Sequence, residues 1–341
     1  MTYALGLEYR PFNTMLVRGS YSTGFRAPDL SYLYAGPSGS SSNNTDYYLC
    51  RLQNPGSSDF SDCSYNDISY DGRSNGSIAL RDETSRSFTG GFIIAPFTGF
   101  DFSADFYYIW LKDEVRYQSS DTVLRQEADC RLGQTVDGQP VNIDSPTCQQ
   151  VLSEVVRNAP DAFNPLQVTS VLVKPVNAAQ DRTNGIDIAA HYHLDTGRFG
   201  AVSFSTGLTR VLSHTIRNFA DDPVDDEMRN LFVYVLPYWK ANASVTWSLG
   251  PVSATVYDRM IGGLPNYDGT RRLGYTSVYN GSVSYQLSQS AQLRLTVDNL
   301  LDTKPPVDPT WTSWPFYSRN WFSPVGRAFY LSFNYQHKPR H

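Results

Sequence analysis

Trp239-Lys240-Ala241-Asn242-Ala243-Ser244-Val245-Thr246-Trp247-Ser248-Leu249 alternates residue by residue between two characters. Trp239, Ala241, Ala243, Val245, Trp247 and Leu249 share one face of an extended chain, and the polar residues share the other. Gly250-Pro251 turns the chain, and Val252, Ala254 and Val256 then alternate with Ser253, Thr255 and Tyr257. After a loop, Tyr279, Gly281, Val283, Tyr285 and Leu287 oppose Asn280, Ser282, Ser284 and Gln286. A fourth run sets Ala291, Leu293, Leu295 and Val297 against Gln292, Arg294, Thr296 and Asp298. The stretch predicts a strand meander with one greasy face.

Working outward, the same period marks strands over 2–9, 14–23, 84–96, 100–117, 168–194 (long or interrupted), 199–213 and 326–335. The total is about eleven. Connections near Pro11, Phe97, Gly197, Gly250 and Ser288 are short, whereas those near Gly39, Gly138, Asp222, Asn266 and Trp314 are long, and the two kinds alternate. A soluble sandwich has no reason to put every long loop at one end. Short turns at one rim and long loops at the other describe an all-β, antiparallel, up-and-down transmembrane β-barrel with apolar residues toward lipid. Closed sheets and helices alone satisfy their backbone in a bilayer.

Composition agrees. Aromatic residues make up 14% of the 341 residues, with 23 Tyr and 18 Phe, which favours strands. A net charge of −5 supplies no basic footprint for nucleic acid. No stretch of about 18 consecutive apolar residues predicts a membrane helix, which leaves barrel strands open. Met1 to Leu5 lacks the charged and apolar regions of a secretory signal, so the expectation is that an exported protein would have its beginning elsewhere.

Cys50 and Cys63 lie in one long loop, Cys130 and Cys148 in another. Two loop staples are the simplest of the three connectivities that four cysteines allow. A metal reading lacks CxxC spacing and a nearby His, and free thiols are the other alternative. The first loop, 24–83, is expected to be an irregular external loop. In the second, Ser145 and Pro146 read as N-cap and first helical residue, and Cys148, Val151, Leu152 and Val155 line one face of a short helix.

Four motifs carry a family resemblance. Tyr21-Ser22-Thr23-Gly24-Phe25-Arg26-Ala27-Pro28 resembles a strand end of TonB-dependent receptors, the energy-coupled importers of the Gram-negative outer membrane. Leu80-Arg81-Asp82-Glu83-Thr84-Ser85 resembles the family's L-K-P-E-T-S strand start, with Asp82 in place of proline. Val297-Asp298-Asn299-Leu300-Leu301-Asp302 is similar to its N-L-F-D segment, and Gly326-Arg327 opens the last strand as in many members. The resemblance implies a barrel of about 22 strands around a plug. It further implies insertion by the barrel-assembly machinery, contact with outer-membrane lipid, and coupling through the plug to an inner-membrane TonB-type complex. Neither plug nor coupling box is read here, so residues 1–341 are expected to be a partial barrel domain, its C-terminal half, inactive in transport alone.

Trp311, Trp314, Tyr317 and Trp321, with Phe316 and Phe322, crowd the last long loop. They suit stacking on a small-molecule ligand such as a sugar or aromatic chelate; an interfacial aromatic belt with loop packing is the plainer account. The acidic run 221–227 lacks EF-hand spacing. His191 and His193 share a polar strand face without a third ligand, so no metal and no cofactor is expected. Catalytic motifs are absent: no G-x-S-x-G, H-E-x-x-H or P-loop occurs. The importer would take up a siderophore, vitamin or oligosaccharide. Against it stand a secreted all-β carbohydrate-binding module, which would be soluble without detergent, and a barrel hydrolase, which would need a lumenal nucleophile and base.

Overall fold

The computed structural model describes residues 2–57, 59–217, 224–228, 236–312 and 314–336. The chain opens with the hairpin β1 (Ala4–Phe12) and β2 (Met15–Arg26). The first excursion then carries α1 (Leu30–Tyr34), β3 (Ser38–Asn44), α2 (Tyr47–Gln53) and β4 (Ile68–Ser74). A second hairpin, β5 (Glu83–Ile94) and β6 (Phe100–Tyr117), leads into the next excursion. That one holds α3 (Ser120–Leu132), α4 (Pro146–Glu154), β7 (Val155–Arg157) and β8 (Val168–Val173). β9 (Pro175–Asp195), β10 (Ala201–Arg217), the two-residue β11 (Asp225–Asp226), β12 (Trp239–Leu249), β13 (Val252–Ile261), β14 (Thr276–Ser288), β15 (Ala291–Asp298) and β16 (Ala328–Tyr335) complete it.

One antiparallel sheet runs β1-β2-β5-β6-β9-β10-β12-β13-β14-β15-β16, an eleven-strand path with β11 paired to β10. Along this path the strands follow one another in chain order, with the excursions and β11 set aside, the signature of an up-and-down meander. The sheet is open, since β1 and β16 are its edges. Registers put Phe204, Val245, Val256, Gly281, Val283, Leu295 and Leu331 on one face, and most of these side chains are exposed, Leu331 at 72%. The other face is a polar ladder: Thr246 and Thr255 hydroxyls lie 2.9 Å apart, and those of Ser253 and Ser284 2.7 Å. Such a sheet has its greasy side outward and its hydrogen-bonding side inward, the reverse of a soluble sandwich. No helix among the described residues is long and apolar enough to cross a membrane. That leaves open a crossing by strands, as in a β-barrel.

The first long segment departs from the expectation of an irregular loop. β3, β4, β8 and β7 form a separate four-stranded sheet, with β4 and β8 parallel and Asp71 opposite Ser170. The two excursions thereby fold as one body around Tyr47, Ile68, Tyr70, Val123, Leu124, Ala128, Val151, Val155, Val168 and Val171. The expected long strand 168–194 breaks at Lys174: β8 belongs to this small sheet, β9 to the large one. Cys50 pairs with Cys63 and Cys130 with Cys148, each bridge within one excursion. Ser145 accepts from the Cys148 amide at 3.2 Å at the start of α4.

Buried charge ties the small body together. Arg157, 4% exposed, donates to both Asp46 oxygens at 2.7 and 2.9 Å and to Glu127 at 2.6 and 2.7 Å, and both carboxylates are fully buried. Burial alone would lower the Arg157 pKa, but hydrogen bonds and charge from Glu127 and Asp46 outweigh it and raise it.

Candidate functional site

The long-loop rim meets the polar face at a cleft of about 770 Å³. Asp105, Asp187, Asn242, Arg259 and Trp321 line it, supplied by β6, β9, β12, β13 and the last loop. The Thr209 hydroxyl donates to Asp187 at 2.6 Å. Asp105 forms a forked pair with Arg18, at 2.9 and 2.6 Å, although β5 lies between their strands. The intervening residue in register is Gly91, and a Cβ there would collide with Asp105. Glycine therefore lets the ion pair bridge two strands.

Trp321 closes the upper side of this cleft. The Lys240 ammonium, rising from β12, sits 4.4 Å from the Trp321 ring centroid. Tyr317 and Trp321 pack on Ile261, Leu264 and Phe322. The other two aromatics singled out in the sequence go elsewhere. Trp311 tilts against Tyr267 at 5.0 Å, while Trp314 stands 76% exposed. The four residues thus form no single stacking surface: Tyr317 and Trp321 share one cluster at the cleft, and Trp311 faces a neighbouring loop.

That neighbouring loop is clamped. Asp308 accepts from the Tyr267 amide at 2.6 Å, and Thr310 from the Asp268 amide at 3.3 Å. Arg272 donates to the carbonyls of Met228, Leu236 and Gly263 at 2.9 to 3.0 Å and lies 3.7 Å over the Tyr238 ring. Lys240, Tyr267, Asp308 and Arg272 were not singled out from sequence. The alternating position of Lys240 does place it on the polar face, but nothing local names its partner.

The histidines are satisfied by neighbours across the sheet: His191 meets Asp101 and His193 meets Ser203, each at 2.9 Å. No group of three or more potential metal-binding side chains occurs among the described residues. Of the acidic run, Asp221 and Asp222 lie outside the described residues, Asp225 and Asp226 pair with β10, and Glu227 is buried.

The four sequence motifs join pairwise. Arg26, closing β2, makes a bidentate pair with Glu83, opening β5, at 2.7 and 3.0 Å, and Glu83 also accepts from the Val115 amide at 2.9 Å. Asp302 accepts from the Arg327 amide at 3.0 Å, linking the third motif to the fourth. Asn299, in the left-handed region at φ 52°, closes a ring with Thr303 through bonds of 2.9 and 2.8 Å. Leu300 lies against Gly281, where an added Cβ would come within 2.8 Å of it. Motif residues far apart in sequence thus brace the strand ends at the loop rim.

The family model described as TonB dependent receptor-like, beta-barrel, matches residues 1–300. The chain belongs to the TonB-dependent receptors. Members of this family are outer-membrane proteins of Gram-negative bacteria, and the known ones are transport receptors. Among solved structures, this receptor chain is similar to a mutant ferric enterobactin receptor, PfeA, of Pseudomonas aeruginosa in complex with enterobactin. The identity is 16%, the TM-score 0.62, and the match covers 98% of this chain and 40% of that one. The siderophore receptor PirA of Acinetobacter baumannii matches at 14% identity and TM-score 0.60, over 98% of this chain and 40% of that chain. The copper transporter OprC matches at 14% identity and TM-score 0.50, over 97% and 38%. At these identities the likeness is one of fold. The receptor chain spans about 40% of the length of the structures it matches. No curated protein matches it.

Proposed function

We propose that this chain is the C-terminal barrel portion of an energy-coupled outer-membrane importer for a scarce small-molecule nutrient: a siderophore, vitamin or oligosaccharide. The observation that carries the reading is the cleft between the polar wall and the last loop. Its volume of about 770 Å³ suits a ligand too large for a simple pore. An aromatic ring over an ammonium and carboxylates below it offer both stacking and polar contacts. In this reading Trp321 and Tyr317 meet the ligand at the cleft, and Trp311 and Trp314 meet it earlier, at the loops. The remaining strands and plug of the intact receptor complete the lumen and couple to the inner-membrane TonB-type complex, and the barrel-assembly machinery inserts the protein into the outer membrane. The similar structures' ligands, a ferric chelate and copper, set which class is tried first. The secreted carbohydrate-binding module is not favoured, because it has no use for an apolar outward face.

The test is uptake by the host. Deleting the gene is expected to abolish accumulation of one labelled ligand among ferric siderophores, copper, cobalamin and oligosaccharides, and Trp321→Ala is expected to weaken its binding by about tenfold. Unchanged uptake of every class, with the protein verified in the wild-type outer membrane, would discard the importer reading.

A further inference from the structure

The outward face of the sheet changes character at its upper end. Trp110 of β6 lies in register between Arg86 of β5 and Arg182 of β9, and Lys112 follows on the same side of the strand. The Arg86 and Arg182 guanidinium carbons sit 5.7 and 4.7 Å from the Trp110 ring centroid, and the Lys112 ammonium 4.9 Å. Three cations converge on one indole. Among the described residues none of the three has a carboxylate partner, and Arg182 donates to Gln180 at 3.4 Å. Both arginines are exposed. The ring face offsets part of the mutual repulsion and leaves the cluster short of an anion.

Height identifies the anion. Trp110 stands ten residues beyond Phe100, where β6 leaves the short-turn rim. At about 3.4 Å per residue and a tilt of about 40°, that places it about 26 Å up the barrel axis. The apolar band of an outer-membrane barrel is about 25 Å tall. On the same strand face below it come Phe102, Phe106 and Tyr108, all apolar in character. The cluster therefore sits where hydrocarbon gives way to head groups, and it opens sideways rather than into the lumen.

We propose that Arg86, Lys112 and Arg182 dock the phosphate-bearing head group of a lipid in the outer leaflet. The two guanidinium forks match phosphate oxygens bidentately, and Lys112 adds a third positive charge. Trp110 lies at the level where indoles favour the interface, and the lipid's acyl chains run down over Phe106 and Tyr108. A soluble anion has no such apolar surface to use. Basic clusters flanking a membrane-embedded surface attract anionic head groups in this way. The inference rests on the outer-membrane reading of the chain.

The receptor, purified from outer membranes in detergent, is titrated with bis-phosphorylated lipid A and with its dephosphorylated form, and bound lipid is read by native mass spectrometry. The wild type is expected to prefer the phosphorylated lipid by about tenfold or more. The triple variant Arg86→Gln, Lys112→Gln, Arg182→Gln loses that preference, whereas Arg86→Lys with Arg182→Lys keeps most of it. Heat-modifiable gel mobility reports whether each variant retains its barrel; if the triple variant does not, Arg182→Gln alone is expected to weaken binding by about threefold. Equal binding of the two lipids by the wild type, or an unchanged preference in the glutamine variants, overturns the proposal. Displacement by inorganic phosphate at equal concentration would mark a simple anion site and overturn it too. A wild-type protein absent from the outer membrane defeats the underlying reading instead, so the two failures are distinguishable.

Discussion

Arg157 is the residue on which the small upper body depends most. It is nearly as buried as the two carboxylates it joins, one from each excursion. Replacing it by alanine would leave buried Asp46 with no charged partner and Glu127 with Arg131 alone, and breaking a buried pair in this way costs about 3–5 kcal/mol. Hydrogen exchange is expected to rise throughout α2, α3, β7 and β8 in Arg157→Ala while the amides of β12 to β15 keep their protection. Tyr47 sets an alkaline limit on the same body. Burial first, and then its hydrogen bond to Asp121, raise the pKa of its hydroxyl above the ordinary 10.0. A raised folded pKa means stability fully present below the unfolded value and lost as pH rises through the folded one. The small body is therefore expected to loosen above about pH 10, and Tyr47→Phe to lessen that pH dependence of amide exchange.

At the scale of elements, each disulfide closes a loop of its own, with cysteines 13 and 18 residues apart. Loops near 15 residues gain about 3 kcal/mol from such closure. Reduction is expected to open α2 and α3 to proteolysis without changing the heat-modifiable mobility of the intact receptor. The strands of the large sheet were legible in sequence because one greasy face imposes a period of two, and β6, β12 and β15 fall within a residue of where alternation put them. Most elements of the small body were not, α4 with its Ser145 cap and Pro146 start being the exception. β3, Ser-Gly-Ser-Ser-Ser-Asn-Asn, has no buried face and hence no period. α3 turns Glu127 inward beside Val123, Leu124 and Ala128, which breaks its apolar stripe. Its ends were readable: Ser119 caps it by accepting from the Thr122 amide at 3.0 Å, and Gly133 leaves it at φ 68°. Pairing of β4 with β8 is non-local, and no short pattern encodes it. The candidate site was legible only in part. Crowded aromatics announced the last loop, but the division of Trp311, Trp314 and Trp321 among three surroundings depends on Tyr267 and Lys240, residues of other elements.

For the molecule as a whole, the open sheet decides behaviour. β1 and β16 each present an unpaired edge, and hydrocarbon offers no water to satisfy it. Residues 1–341 refolded alone in detergent are therefore expected to self-associate through these edges. Light scattering coupled to size exclusion would read more than one copy per particle; a stable monomer with heat-modifiable mobility would mean that the edges close on each other. The outward face, with Leu5, Leu7, Leu331 and Phe333 each more than 60% exposed, leads us to expect that the same chain needs detergent to stay dispersed.

The parallel pairing of β4 with β8 also bears on how such receptors diversify. Half of the small sheet comes from each excursion, and the core joins Tyr47, Ile68 and Tyr70 of the first to seven residues of the second, so neither excursion holds the whole body by itself. A recombination event that exchanged residues 27–82 and left 118–174 behind would deliver an orphaned edge and a split core. Inheritance of the two segments is thereby linked across the intervening hairpin, and a new crown can be grafted onto this barrel only as a matched pair.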